Sequence, residues 1–256
     1  MRAHYLIGLT AVVVALTVAP TVASAAPGGE SYAHPTPFGP QRPYEPDVAG
    51  PENIDNGSVT YAEDGGSRFG VNISFTSLRS TTTGVEPAAG REFVFLFDRS
   101  VHFNPYLFPT CDRSVIEERG AAACPKGSQV GSGRAVFYRG GEGEVLVFNT
   151  AFDKGRRGVL IHIPAAGAIL ENTLERVVGG YRDAYGWGLN EILPVNDIPP
   201  QDRPSTKEFY VTFGGVHKGH SFAQSFARPG AELAAGVWSE YATGQTTLVE
   251  GVVTRP

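Results

Sequence analysis

Charge is sparse in this chain. Asp, Glu, Lys and Arg make up 18% of its 256 residues, against about a quarter in an ordinary soluble domain. A long solvated helix needs a polar face, so few such helices fit that supply. The basic residues are not clustered and the formal net charge is −5, which removes the electrostatic footprint expected of a nucleic-acid-binding protein. Methionine occurs once, as the initiator. Long apolar runs are missing as well. The longest, Leu6 to Val18, is about a dozen residues, short of the roughly 20 that cross a bilayer, so no membrane span is expected. Signatures of chemistry are equally scarce. There is no G-x-S-x-G nucleophile elbow, and no G-K-[ST] phosphate loop or H-E-x-x-H zinc helix. Neither a cofactor nor a metal is expected, although enzymes on β scaffolds often scatter their catalytic residues.

What the chain does contain begins with an export pattern. Arg2 supplies a positive start, LIGLTAVVVALTV follows, Pro20 breaks the run, and Ala23-Ser24-Ala25 offers small residues at the cleavage positions. Residues 1–25 therefore read as a signal peptide, cleaved after Ala25 to release a secreted protein. No cysteine closely follows the apolar run, so no lipid anchor is expected. The two cysteines, Cys111 and Cys124, then read as one disulfide, the usual state of a cysteine pair outside the cytosol. A metal pair would use closer C-x-x-C spacing and further ligands. A catalytic thiol would leave the second cysteine unexplained.

Glycine (32) and proline (19) are plentiful, and alternating apolar runs recur at short intervals between them. Residues 26–56 lack periodicity and read as a flexible leader, with the folded domain spanning 57–256. Strands are expected over 58–63, 68–75, 92–98, 133–138, 144–152, 158–163, 208–213, 221–226, 234–241 and 245–254. One short helix fits 113–119, capped by Asp112 or Ser114 and ended by Gly120. Residues 168–178 suit either a helix or a strand. No βαβ pattern repeats, so the expected fold is all-β: an antiparallel two-sheet sandwich, jelly-roll-like, with one short helix inside the disulfide loop.

The segment around the cysteines reads Asn104-Pro105-Tyr106-Leu107-Phe108-Pro109-Thr110-Cys111 and, after the helix, Cys124-Pro125-Lys126-Gly127-Ser128-Gln129-Val130-Gly131-Ser132-Gly133. It resembles a group of uncharacterised exported bacterial proteins that share an NPxxFPxC…CPxGSxVGxG segment. The resemblance implies a β-rich secreted domain and carries no catalytic residue with it. Trp238 and Tyr241-Ala242-Thr243-Gly244 resemble the aromatic-turn-strand finish of that group. On its own chemistry the segment is a corner: Pro105 and Pro109 keep the chain extended, and Gly127, Gly131 and Gly133 permit tight turns.

Three constellations are candidates for function. His217 and His220 flank a turn and would need His162 or a carboxylate to hold a metal. Glu144, Asp153, Glu208 and Glu240 lie in or beside strands, where a facing pair would suit a glycan hydrolase or lyase. Tyr181, Tyr185 and Trp187 can form a stacking platform for cell-wall or extracellular polysaccharide, or else cover the open end of the core. The functional expectation is a non-catalytic extracellular binding or structural module, the alternative being a glycan-active enzyme.

Overall fold

A computed structural model gives the structure of residues 36–38, 45–193 and 197–256. The signal segment expected at 1–25 lies outside the described residues. In chain order the strands are β1 Asn53–Glu63, β2 Val71–Thr81, β3 Gly90–Asp98, β4 Val101–Phe103, β5 Gln129–Phe137, β6 Glu142–Ala151, β7 Arg157–Ile163, β8 Ala168–Arg176, β9 Tyr185–Ile192, β10 Thr206–Phe213, β11 Val216–His217, β12 His220–Ser221, β13 Ala223–Ser225, β14 Glu232–Tyr241 and β15 Thr246–Thr254. The one α-helix among the described residues, α1, is Arg113–Arg119. Residues 168–178, which suited either helix or strand, are mostly strand. Domain structure also starts earlier than 57: β1 begins at Asn53, and Arg91 already holds Pro46 and Asp47.

The expectation of an all-β antiparallel protein is met; that of two packed sheets is not. Eleven strands form a single sheet in the order β1-β2-β10-β5-β6-β7-β8-β9-β3-β14-β15. Its ends curl until β1 and β15 lie side by side, giving a nearly closed barrel. The physical reason is twist and edge protection. An open twisted sheet of about ten strands tends to curl or split, and bringing β1 beside β15 shields each edge with the other. β1 and β15 share no backbone ladder, so side chains span the seam. Gln245 accepts from the Asn53 N–H at 2.7 Å and donates to the Asn53 carbonyl at 2.7 Å, standing in for a rung. Farther along, the Tyr61 hydroxyl donates to the Ala234 carbonyl.

Alternation along the strands sends one set of side chains inside. Phe75, Phe95, Phe97 and Phe213 meet there edge to face, with ring centres 5.0–5.9 Å apart. The opposite faces are not all bare. Val94, Leu96 and Trp238 on the outer wall are covered by Val177, Tyr185 and Phe38.

The cysteine segment packs on another part of the outer wall. Cys111 and Cys124 are joined, with sulfurs 2.03 Å apart and Cα atoms 5.2 Å apart. α1 lies between them, ends where the Gly120 N–H reaches Ile116 O, and buries Ile116 and Cys111 against Phe148 of β6 and Leu160 of β7. Asn149 anchors the approach: its buried amide donates to the carbonyls of Pro105, Phe108 and Pro109 at 3.0–3.1 Å. Gly131 and Gly133 serve a different purpose from the turns expected of them. Both lie within β5, where a Cβ would sit 1.9 Å from the Thr212 and Tyr210 carbonyl oxygens of β10.

The loop closed by the disulfide spans 13 positions, and chain entropy assigns about 3 kcal/mol to a loop of that size. The C111S/C124S double variant is therefore expected to melt some 6–12 °C below wild type. An unchanged melting temperature would show that α1 is held by packing alone.

Candidate functional site

One end of the barrel, where β2, β7 and β9 finish and β3, β8 and β10 begin, contains a cavity of about 340 Å³. Phe75, Phe93, Phe95, Ile163, Leu170 and Val237 supply much of its apolar wall, and the aromatic cluster centred on Phe75 forms its floor. The connection between β9 and β10 contributes Ile198, Arg203, Pro204 and Ser205. That connection is held in place by Arg203, whose guanidinium donates to both Glu45 oxygens at 2.8 and 2.6 Å and to the Ile198 carbonyl at 2.9 Å.

A polar belt runs around the inner wall beside this cavity, and strand register puts its members there. Asp55 on β1 faces Arg79 on β2. Ser239 on β14 faces Phe93 on β3, which faces Glu191 on β9, which faces Asn172 on β8. The Asp55 side chain is fully buried and accepts from the hydroxyls of Ser77 (2.7 Å), Tyr241 (3.0 Å) and Ser239 (3.3 Å). Arg79 lies 3.9 Å from Asp55, donates to Thr206 Oγ1 at 2.6 Å and stacks 4.1 Å over the Phe93 ring. Its Nε is buried without a hydrogen-bond partner. Burial pushes the Tyr241 phenol up to about 12, with Arg79 and Asp55 acting in opposite directions.

Glu191 is the belt's second carboxyl and lines the cavity. Asn172 Nδ2 donates to it at 3.0 Å. Burial pushes its carboxyl up to about 7, opposed by the Asn172 bond and the positive charge of Arg79. The folded protein thus holds this proton more tightly than the unfolded chain. Its contribution to stability is complete below the ordinary value of 4.5 and is lost as pH rises through about 7. At roughly 1.4 kcal/mol per unit, about 3 kcal/mol is at stake. Glu191→Gln is expected to melt with wild type near pH 4 and above it at pH 8. Parallel melting curves across that range would mean that Glu191 is already ionised in the fold.

No protein-family model, curated protein or solved structure matches the chain.

The candidates from sequence lie elsewhere. Tyr185 is buried in the outer-wall cluster with Trp238 and donates to Glu250 at 2.7 Å; burial, then this bond, raises its phenol. Tyr181 packs against the same cluster, and burial pushes it up to about 12. Trp187 is half-buried, outside that cluster, with the Arg176 guanidinium 3.9 Å over its ring. The segment 185–192 that holds two of the three is β9, a sheet strand.

His217 and His220 face each other across the β11–β12 hairpin, while His162 on β7 contacts the Ala168 carbonyl. Among the described residues no three His, Cys, Asp or Glu side chains are grouped to hold a metal. Of the four strand carboxylates, Glu144 and Asp153 are exposed, Glu208 pairs with Arg134 at 2.6 Å, and Glu240 lies 3.7 Å from Arg91. None of the four lines the cavity.

Arg79, Glu191 and Asp55 went unsingled in the sequence. Their signal was present as polar residues in phase with an apolar face, at Phe75-x-Ser77-x-Arg79 and Leu189-x-Glu191.

Proposed function

We propose that this is an exported, non-catalytic binding module whose barrel cavity takes a small, mostly apolar molecule. The observation that carries the reading is the cavity itself. It falls in the volume range of small-ligand sites, and its walls are apolar with a few converging polar groups. The Met1–Ala25 pattern and the disulfide support an oxidising, extracellular setting. The glycan-enzyme alternative requires two carboxyls roughly 5–9.5 Å apart, and among the described residues the cavity wall carries one, Glu191. A polysaccharide partner has less support, because Tyr185 is buried and Trp187 already carries Arg176.

Naphthalene, an uncharged probe of ten carbons, tests the reading without reference to polar groups. Saturable one-to-one binding is expected, followed by the probe's own fluorescence. Ala168→Trp or Leu170→Trp fills the cavity from β8 and should weaken binding at least tenfold. No saturable binding, or binding indifferent to both plugs in folded protein, overturns the proposal.

A further inference from the structure

Among the described residues, the charged side chains on the cavity wall are Arg79, Arg203 and Glu191. Two are cations. Arg203 is committed to Glu45 through both of its terminal nitrogens. Arg79 is not so committed. Its Nε lies 3.9 Å from Asp55 Oδ2, beyond hydrogen-bond reach of a carboxylate that already accepts from three hydroxyls, and its Nη1 donates to Thr206 Oγ1 at 2.6 Å. A buried guanidinium that makes so few hydrogen bonds is costly unless something completes it. Asp55 does not line the cavity, so its charge is not offered to a ligand there.

Resting on the reading of the cavity as a binding site, we infer that its ligand is an apolar monocarboxylate, with the carboxylate seated against Arg79 and beside Glu191. A planar carboxylate matches the guanidinium fork, and hydrogen bonds between such charged groups are the stronger kind. Phe93 packs its ring against the guanidinium, 4.1 Å from ring centre to Cζ. Burial raises the Glu191 carboxyl to about 7, so near neutral pH a substantial fraction carries a proton and can donate to the same head group in place of repelling it. A dianion such as a phosphate monoester would leave its second charge unmatched, since, among the described residues, Arg79 is the one cavity-wall cation that no carboxylate hydrogen-bonds. The remainder of the ligand is bounded by volume. At roughly 30 Å³ for each water-sized group, 340 Å³ holds about eleven, which is the size of a medium-chain acid.

Three probes of one size separate the possibilities: decanoate, 1-decanol and decylamine, each titrated calorimetrically into the full mature chain at pH 7. Decanoate is expected to bind at least tenfold more tightly than either of the others, and Leu170→Trp should abolish its binding. Arg79→Gln should erase the preference for decanoate while leaving decanol binding within about threefold. Should that variant not fold, Glu191→Lys supplies the second test. It adds a cation at the same pole and should tighten decanoate relative to decanol. Equal affinities for decanoate and decanol would overturn the head-group assignment while leaving the apolar cavity intact. A preference for decylamine would reverse the sign of the site. Failure of all three to bind, together with failure of naphthalene, would remove the cavity reading as well.

Discussion

Asp55→Ala is expected to destabilise the protein by about 3–5 kcal/mol, the usual cost of breaking one side of a buried ion pair. That would lower the melting temperature of a domain this size by roughly 10 °C or more. The size of the effect comes from what is left behind. Arg79 would lose its Asp55 partner and keep its buried charge, with Glu191 the remaining carboxyl of the belt, and the hydroxyls of Ser77, Ser239 and Tyr241 would lose their acceptor. These groups come from β1, β2 and β14, so Asp55 also ties the beginning of the sheet to its far end. The seam between β1 and β15 has no ladder to share that work. Asp55→Asn keeps an acceptor oxygen and the shape, and should cost about half as much. The double variant D55L/R79M removes both charges and should recover much of the loss, because the isolated charge, more than the missing pair, is the penalty. If Asp55→Ala melts within a degree or two of wild type, the belt is not structural and the seam is held by Gln245 and Tyr61.

The element pattern was largely legible in the sequence because it depends on local alternation. Val71-x-Ile73-x-Phe75 is plain as a strand, although β2 begins at Val71 and Phe69 lies in the turn before it, and α1 lies where Asp112 and Gly120 bracket it. The places where that reading stopped short are instructive. β2 runs on to Thr81, past the expected end at Phe75, because Ser77 and Arg79 continue the inward face with polar groups. A polar residue in phase with an apolar face reads locally as a strand end or a switch to solvent. It becomes an interior belt when partners arrive from β1, β9 and β14, some of them more than 100 residues away. The choice of one curled sheet over two facing ones was illegible for the same reason. It is set by the β10–β2 and β3–β14 pairings, which are long-range. The aromatic segment misleads in the opposite sense. Tyr185 and Trp187 look like a loop platform because Gly186 separates them and Gly188 follows. The second glycine instead makes room on β9, where a Cβ would sit 2.7 Å from the Phe38 ring.

Phe75→Ala should be the most damaging change in the apolar interior and the most informative about the cavity. Phe75 is 1% exposed and packs edge to face on Phe95, Phe97 and Phe213 at 5.3, 5.5 and 5.9 Å. Truncation of a buried phenylalanine costs about 3–5 kcal/mol, and lost ring pairs push the value toward the upper end. Phe75→Leu keeps most of the volume and should lose less than half of that. Ile198, on the same cavity but 46% exposed, offers the contrast. Ile198→Ala should stay within about 0.5 kcal/mol of wild type, as exposed substitutions usually do. Because Phe75 forms the cavity floor, its removal also joins the void left by the ring to the existing space. Folded Phe75→Ala protein should therefore bind dodecanoate more tightly relative to decanoate than wild type does. Chemical denaturation reads the first effect and calorimetry the second. A loss of stability without any shift toward the longer chain would mean that the barrel collapses around the missing ring, and that the floor is not the boundary of the site.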